Sequence, residues 1–392
     1  MTERDLDIVL LGATGFTGAL IAARLSATAP ASARLGLAGR SRAKLEQVAA
    51  GLDREVALLV VDVTDPVALR ALAESTRVLM TTVGPYVEHG DPVVGACAAA
   101  GTDYLDLCGE PEFVDETYVR HHDVAVGSGA RLVHACGFDS IPHDLGAQFT
   151  VEQLAGDAPI DVRGHVRMSG TFSGGTVASA LGAMSRSAQA KSARARRAAA
   201  EGPLVGRSVT IGSPRPGRSA DTGRWSVPMP TIDPQIVASS ARALSSYGPA
   251  FRYAHLLDAD GPASLAAMVA GVGAVAALAQ FPPTRRALSR RVPQGTGPSE
   301  EKRAASWFRV RFFGDADGRR VVTEVSGGDP GYTETATMMS EAALSLAFDD
   351  LPATAGQVTT AVAMGPVLRR RLDAAGITFR ILPEGIRGAD VH

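Results

Sequence analysis

The stretch Ile8-Val-Leu-Leu-Gly12-Ala-Thr-Gly15-Phe-Thr-Gly18 opens the chain with an apolar run and three evenly spaced glycines. The apolar run predicts a buried β-strand, and the segment from Phe16 to about Leu25 predicts the helix that follows it. The first glycine permits a tight turn, the second lets the backbone approach a phosphate, and the third allows close helix–strand packing. Free N–H groups at the helix start then face an anion. The stretch therefore predicts a pyrophosphate site.

Outward from this stretch, strands and helices alternate through the first third of the chain. Further strands are predicted at 34–38, 56–61, 78–83, 104–107 and 132–135, and helices are predicted to begin near Ser41, Asp65-Pro66, Asp91-Pro92 and Pro111. The apolar runs 56–61 and 78–83 are typical of strands covered on both faces. Six such units in succession predict the α/β class, with a Rossmann-type, doubly wound parallel sheet.

The regular alternation ends near residue 149, where a second kind of structure is predicted. Residues 162–168 alternate as a strand does, and 307–313 and 321–325 flank a turn-like segment, which predicts a hairpin. We predict a Rossmann domain at 1–145 and a second, α+β domain at 146–335. The C-terminal helices at 336–392 are expected to pack back on the first domain.

Composition excludes several functional classes. The 392 residues include 45% hydrophobic and 20% charged residues and carry a net charge of −2, so no overall basic field exists for nucleic acid. Three cysteines without a CxxC spacing predict neither a disulfide framework nor a zinc site, and we expect no metal. Acidic residues precede the first apolar run, which is unlike a secretory signal, so we expect a cytoplasmic protein.

The residues that follow the second predicted strand select the nucleotide. An NAD-dependent enzyme usually carries Asp or Glu there, whereas this chain has Gly39-Arg-Ser-Arg-Ala-Lys44. The Arg40 guanidinium can bind a 2′-phosphate through two hydrogen bonds, Ser41 can add a hydroxyl, and Lys44 a point charge. The alternative is a solvated basic helix start. We predict NADP(H) as the cofactor.

The ends of the third and fourth strands supply further cofactor contacts. Asp62 is placed either to bind an adenine edge or to cap the helix near Asp65. Gly84 and Pro85 predict a rigid turn beside the nicotinamide ribose, where Tyr86 either donates a proton or packs. The predicted cofactor-binding residues are Gly12, Thr14, Gly15, Phe16, Thr17, Gly18, Arg40, Ser41, Lys44, Asp62, Val83, Gly84, Pro85 and Tyr86.

The sequence does not identify the catalytic residues. The candidates are Tyr86, Asp139 and His143. Asp139 follows the sixth strand and either serves the reaction or holds the backbone at the crossover into the second domain. His143 either titrates near neutral pH or lies as a cap or surface residue at a helix start. The 173–176 turn either binds a thioester oxygen or a carboxylate, or caps a helix.

Two further segments have open interpretations. The almost wholly apolar stretch 261–281 predicts a buried or subunit-interface helix, with peripheral membrane contact and a true membrane span as alternatives. If the helix at 261–281 forms a subunit interface, we expect a homodimer. The arginines at 194, 196 and 197 form either a solvated helix face or a guide for an acidic carrier protein or a coenzyme A tail.

The chain resembles the saccharopine dehydrogenase-like family, and especially its trans-acting enoyl reductase branch. The matching segments are GATGFTG (12–18), AGRS (38–41), TVGPY (82–86), YLDLCGE (104–110), CGFDSIPHD (136–144), SGGT (173–176), GDPGY (328–332) and AAGITF (374–379). The resemblance implies a Rossmann domain that binds NADP(H) and an inserted domain that covers a hydrophobic acyl or carrier-bound enoyl substrate.

Two other functions stay open beside enoyl reduction. One is NADP(H)-dependent reduction of another small substrate, such as an imine or amino-acid derivative. The other is a membrane-associated NADP(H)-binding protein with little catalysis. Saccharopine itself is not supported as substrate, because none of the lysines, Lys44, Lys191 and Lys302, lies in a matching site.

Overall fold

Seven parallel strands form the first sheet of the computed structural model, which describes residues 4–154, 156–169, 186–229, 231–279 and 297–383. The strands are β1 (Leu6–Leu11), β2 (Leu35–Gly39), β3 (Ala57–Val60), β4 (Thr76–Thr81), β5 (Asp103–Asp106), β6 (Arg131–Val133) and β14 (Gly356–Val358). Their order is β14-β6-β5-β4-β1-β2-β3. The strand β1 therefore lies between β2 and β4, so successive strands are added first on one side and then on the other.

Helices connect these strands as the start and stop signals predict. They are α1 (Phe16–Thr28), α2 (Arg42–Ala49), α3 (Pro66–Ser75), α4 (Tyr86–His89), α5 (Asp91–Ala100) and α6 (Pro111–Ser128). Ser41 caps α2, and Asp65 caps α3 by accepting hydrogen bonds from two backbone amides. Gly101 ends α5 in the left-handed conformation at φ 70°. The predicted Rossmann-type parallel sheet is confirmed.

The second sheet is mixed and has eight strands. These are β7 (Ile160–Ser169), β8 (Ser208–Gly212), β9 (Gly217–Arg218), β10 (Trp225–Pro228), β11 (Ala250–Ala259), β12 (Trp307–Ala316), β13 (Arg319–Gly327) and β15 (Thr378–Leu382). The order is β15-β13-β12-β7-β11-β10-β9, and β8 pairs with β11. The predicted hairpin is present as the antiparallel pair β12–β13.

The remaining helices pack around and between the two sheets. They are α7 (Ile141–Leu154), α8 (Ser187–Glu201), α9 (Asp233–Ala243), α10 (Pro262–Ala279), α11 (Glu300–Ala304), α12 (Thr333–Phe348), α13 (Thr360–Ala363) and α14 (Gly365–Ala374). The largely buried α7 packs on β12 and β13, while the largely buried α12 packs on α1 and the first sheet. The boundaries at 145 and 335 stay predictions, and β14 adds a C-terminal segment to the first sheet.

Two expectations need correction. The strand β3 is only partly buried, because it is the edge strand of the sheet and is not covered on both faces. Helix α10 is not buried along its first turns in the single chain: Leu265 is buried, but Val269 is 44% exposed. Among the described residues, no helix has the length and apolar character that crossing a bilayer requires.

Candidate functional site

The carboxyl ends of the parallel strands form one edge of the first sheet, and the predicted site residues follow them there. In sheet order, Asp62 follows β3, Arg40 follows β2, Gly12 follows β1 and Val83 follows β4, and the segment with Asp139 follows β6. Ligands of such sheets bind where the strand order reverses. In this chain that point is β1, between β2 and β4.

Close backbone packing shapes the turn after β1. Gly12 has φ +90°, a conformation that favours glycine, and its amide donates to Ala38 O over 2.9 Å. A Cβ atom at Gly12 would lie 2.6 Å from the Thr82 hydroxyl oxygen and 2.9 Å from a Val83 methyl carbon. A Cβ atom at Gly18 would lie 2.2 Å from Gly12 O. These contacts bring the ends of β1, β2 and β4 together and explain why glycine occupies positions 12 and 18.

The first turn of α1 is open toward this edge. Gly15 is the N-cap and offers no side-chain oxygen to the amides of the first helical turn. Thr14 and Gly15 are exposed, while Phe16 and Thr17 are partly buried. The turn thus presents backbone N–H groups, without a competing side chain, to an approaching anion. This arrangement fits the pyrophosphate of a dinucleotide.

Phe16 is covered by residues from the far end of the chain. Its ring meets Tyr332 edge-on at a centroid distance of 5.0 Å, and the Arg303 guanidinium lies 5.5 Å from the ring centroid. Tyr332 is buried and immediately precedes α12. Tyr332, the last residue of the GDPGY segment, therefore lies against the glycine turn.

The end of β2 carries positive charge that the fold itself does not neutralise. Arg40 and Lys44 are exposed, and no ion pair among the described residues involves either of them. The Ser41 hydroxyl accepts a hydrogen bond from the Lys44 amide over 3.4 Å and caps α2. The two cations beside the glycine turn fit an additional phosphate on the adenosine ribose.

Asp62 lies beside this positive charge rather than at a helix cap. Its carboxylate accepts hydrogen bonds from the Thr64 amide over 2.9 Å and the Thr64 hydroxyl over 2.8 Å. These bonds, with a smaller contribution from Arg40, lower the pKa of Asp62. Because Asp65 caps α3, Asp62 is not needed for that task. Its predicted contact with the adenine stays a prediction.

The hydrogen bonds of a buried tyrosine hold the loop after β4 in place. The Gly84–Pro85 peptide bond is cis, and Tyr86 is buried. The Tyr86 hydroxyl donates to Thr81 O over 3.1 Å and accepts from the Leu107 amide over 3.2 Å. Burial raises the pKa of Tyr86 well above its usual value. This environment favours the packing role over proton donation.

The loop after β5 links the β4 loop to the β6 segment. The buried Glu110 carboxylate accepts hydrogen bonds from the amides of Tyr86 and Val87, over 3.2 and 2.9 Å. A Cβ atom at Gly109 would lie 3.8 Å from the Asp139 carboxylate. The loops after β4, β5 and β6 therefore adjoin, and Asp139 lies near the turn predicted for the nicotinamide.

A second buried network supports these loops and was missed by the sequence analysis. Asp106 accepts from the amides of Cys108 and Ala135, and its other oxygen lies 2.6 Å from His134 Nδ1. Burial raises the pKa of Cys108 well above its usual value. The thiol therefore stays protonated near neutral pH, as expected for a residue that is not a nucleophile.

Asp139 and His143 have different surroundings. Asp139 is partly buried and is joined to Ser140 by a cis peptide bond. Burial, reinforced by the Asp233 carboxylate, raises the pKa of Asp139. His143 lies in the first turn of α7 as expected, but it is completely buried, and burial lowers its pKa to about 3. The expectations of a surface position and of titration near neutral pH are therefore wrong for His143.

His143 belongs to a cluster that the sequence did not reveal. Its ring meets His255 edge-on at 4.7 Å, and Asp233 lies between the two imidazoles as an ion-pair neighbour of both. His143 lies about a hundred positions before Asp233 and His255 in sequence, so no local motif could have identified the group. The histidine at 143 was the only signal.

Other candidates fall away from the site or beyond the described residues. Arg196 and Arg197 of α8 pair with Glu116 and Asp115 of α6, so neither is a freely solvated cation. The turn at 173–176, with its predicted role in binding a thioester oxygen or carboxylate, lies outside the described residues.

In comparisons with known proteins, a family model matches most of the first sheet, and relatives match nearly the whole chain. A family model described as the saccharopine dehydrogenase NADP-binding domain matches residues 8–133. A Mycobacterium tuberculosis protein provisionally named a trans-acting enoyl reductase is 37% identical, covering 97% of this chain and 98% of that protein. The trans-acting enoyl reductase of Mycobacterium ulcerans is 33% identical, covering 96% of this chain and 97% of that protein.

A solved structure supports the fold at much lower sequence identity. Apo histidine-tagged saccharopine dehydrogenase (L-Glu forming) from Saccharomyces cerevisiae is similar at a TM-score of 0.54 and 13% identity. The comparison covers 96% of this chain and 100% of that chain.

Proposed function

Since this chain belongs to the saccharopine dehydrogenase-like family of NADP-binding oxidoreductases, we propose that it reduces the C=C bond of an enoyl substrate with NADPH. The names of its relatives support this reaction, and the arrangement of the strand ends is compatible with it. The bound cofactor supplies a hydride. The chain must position that cofactor, polarise the substrate and admit a proton.

The observation that carries the proposal is the pairing of the glycine turn with Arg40. The turn offers unblocked amides and backbone close enough to approach a pyrophosphate. Arg40 and Lys44 offer two cations at the neighbouring strand end, where the extra phosphate of NADPH needs them. The alternative is that Arg40 and Lys44 are only solvated residues at a helix start. That alternative does not explain why both lie beside the glycine turn.

We assign Asp139 to the substrate side of the site. Of the three candidates, Tyr86 has its hydroxyl held by two backbone groups, and His143 is completely buried. Asp139 is the least buried of these three residues, and its carboxyl group lies beside the β5 loop on the cofactor edge. It is therefore placed to hydrogen-bond a substrate carbonyl or to deliver a proton.

The proposed substrate is an acyl or polyketide chain carried as a thioester, because the relatives are named for enoyl reduction in trans. The exposed apolar start of α10 supports contact with a hydrophobic partner. That partner is a hydrophobic substrate, a second copy of the chain or a membrane surface. Gel filtration identifies a dimer, and flotation with anionic vesicles identifies membrane contact.

The deciding experiment uses the full-length chain with NADPH that carries deuterium at the transferred position. An α,β-unsaturated acyl thioester and a cyclic imine serve as competing acceptors, and mass spectrometry locates the label. The proposal expects deuterium on the carbon β to the thioester carbonyl. Label on a C–N carbon would establish the imine alternative, and NADPH binding without label in any acceptor would favour the non-catalytic alternative.

A further inference from the structure

Among the described residues, His143, Asp233 and His255 form a cluster of buried side chains of the kinds that bind metal ions. The three residues are 0%, 0% and 3% exposed. They come from three different elements: His143 from α7, Asp233 from the start of α9, and His255 from the middle of β11. The cluster thus joins the segment that follows the first sheet to the second sheet.

The distances within the cluster suit coordination of a small cation. His143 Nε2 lies 3.7 Å from Asp233 Oδ1, and His255 Nε2 lies 3.4 Å from Asp233 Oδ2. All three ligand atoms lie within 4.8 Å of one another. Ligands held about 2.0–2.2 Å from a tetrahedral zinc ion are roughly 3.3–3.6 Å apart. The two distances from the imidazoles to the Asp233 carboxylate are close to that spacing.

The polar atoms that would bind the ion lack other partners. Both ring nitrogens of His143, Asp233 Oδ1 and His255 Nε2 are buried without a hydrogen-bond partner. Buried polar atoms are nearly always satisfied, and each exception calls for an explanation. Three of these atoms, one from each residue, can face a common ligand, and their convergence points to a missing shared partner.

Neighbouring groups orient the ligands as metal sites require. His255 Nδ1 lies 3.0 Å from the Tyr253 hydroxyl oxygen. When Nδ1 carries the proton and donates to Tyr253, Nε2 is left with a lone pair for a metal. Asp233 Oδ2 accepts a hydrogen bond from the Thr231 hydroxyl. Partners of this kind fix the tautomer and rotamer of metal ligands.

A bound divalent ion would also compensate the carboxylates at the cluster. Asp233 and Asp139 are electrostatic neighbours. None of the ion pairs found across the described ranges joins an arginine or lysine to either carboxylate. A carboxylate without a basic partner is costly to bury, and a bound divalent ion would offset that cost.

We propose that His143, Asp233 and His255 bind one divalent transition-metal ion of the zinc type, leaving one position for a water molecule. Two imidazoles and a carboxylate are ligands that such ions accept. The ion links α7, α9 and β11 and so stabilises the junction of the two sheets. The sequence analysis predicts no metal, but it considers only the cysteines and short local spacings. A site built from residues far apart in sequence lies outside that reasoning.

The test measures the metal content of the full-length protein and its response to Co²⁺. Elemental mass spectrometry of protein grown with added Zn²⁺ is expected to show about one ion per chain. Protein loaded with Co²⁺ is expected to show visible absorption of the intensity typical of tetrahedral coordination. A chelator is expected to lower the melting temperature of the metal-loaded protein.

Variants separate the cluster from adventitious binding. His255→Gln and His143→Gln are expected to lose the ion and the effect of the chelator on melting. The matched control is His165→Gln, since His165 is equally buried in the second sheet but has its Nδ1 2.7 Å from Asp258. This variant is expected to keep the ion.

The outcome that overturns the proposal comes from the unaltered protein, so it does not depend on how the variants fold. Less than about a tenth of an ion per chain, with no Co²⁺ absorption and no effect of chelator, would show a cluster satisfied by water alone. Equal metal content in the His165→Gln, His255→Gln and unaltered proteins would also overturn it. Calorimetry with NADPH tests the proposed function separately.

Discussion

The glycine turn at 12–18 and the cluster of His143, Asp233 and His255 present polar groups in opposite ways. The turn is contiguous in sequence, exposed, and built from backbone amides. The cluster is assembled from three distant elements, buried, and built from side chains. Exposed backbone amides suit a cofactor that exchanges with solvent, whereas buried side-chain donors suit an ion that is retained. Asp139 adjoins the loop after β5 on the cofactor edge and is an electrostatic neighbour of Asp233 in the cluster.

The largest effect is expected at Asp139. Asp139→Asn keeps the shape of the side chain but removes its acid, so kcat with an enoyl thioester should fall by about 10²–10⁴-fold. The Kd for NADPH and the melting temperature should change little. Steady-state kinetics and calorimetry make the measurement, with the exposed Asp123→Asn as the control. Unchanged kcat would leave Asp139 with a structural role and remove the link between the regions.

The next effect concerns the cation beside the turn. Arg40→Asp should weaken NADPH binding by roughly 1.5–3 kcal/mol, or roughly 10- to 150-fold in Kd, because a charged hydrogen bond is lost. NADH binding should change much less. Arg42→Asp is the matched control, since Arg42 is equally exposed but pairs with Glu46. A variant at position 40 that still prefers NADPH would contradict the assignment of the 2′-phosphate.

The turn itself is tested by adding one methyl group. Gly18→Ala places a Cβ atom 2.2 Å from Gly12 O, so we expect the free energy of unfolding to fall by about 1–3 kcal/mol. NADPH binding should weaken as the turn shifts. Gly127→Ala is the control, because it lies in α6 with nothing within 4 Å of the added atom, and it should be neutral or stabilising. Chemical denaturation of both variants measures the difference.

A smaller, pH-dependent effect is expected in the second sheet, where Arg163 holds Asp221 through two hydrogen bonds of 2.6 and 3.2 Å. Partial burial opposes the shift, but bonds from His165 and Arg163 hold the pKa of Asp221 well below its ordinary value. The resulting stability is present above the unfolded pKa, near 4, and is lost as pH falls through the folded pKa.

Asp221→Asn should therefore destabilise the protein by about 1 kcal/mol near neutral pH, and by progressively less below pH ~4. Urea denaturation across this range makes the comparison, with the exposed Asp53→Asn as the control. A difference between Asp221→Asn and the unaltered protein that stays constant as pH falls would show that Asp221 does not titrate between the folded and unfolded states.

Much of the first sheet could be predicted because its signals are local. Asp65-Pro66 begins a helix, Gly101 ends one, and the apolar run 78–83 overlaps a buried strand, because each signal acts within one turn or strand. The exposure of β3 could not be predicted in the same way. An apolar run indicates a strand, but only the order of strands decides whether that strand lies at an edge.

The sequence by itself determined the Rossmann-type sheet and NADP(H) as the cofactor, and it predicted the glycine turn as the phosphate site, because a few neighbouring residues carry each of these. Only the tertiary structure decided that Tyr86 is held by backbone groups and that Asp139 is the least buried of the three catalytic candidates. It also decided that Asp233 and His255 meet His143, since contacts between residues about a hundred positions apart depend on how two sheets pack. Local patterns determine backbone conformation, whereas the environment of a side chain depends on the whole fold.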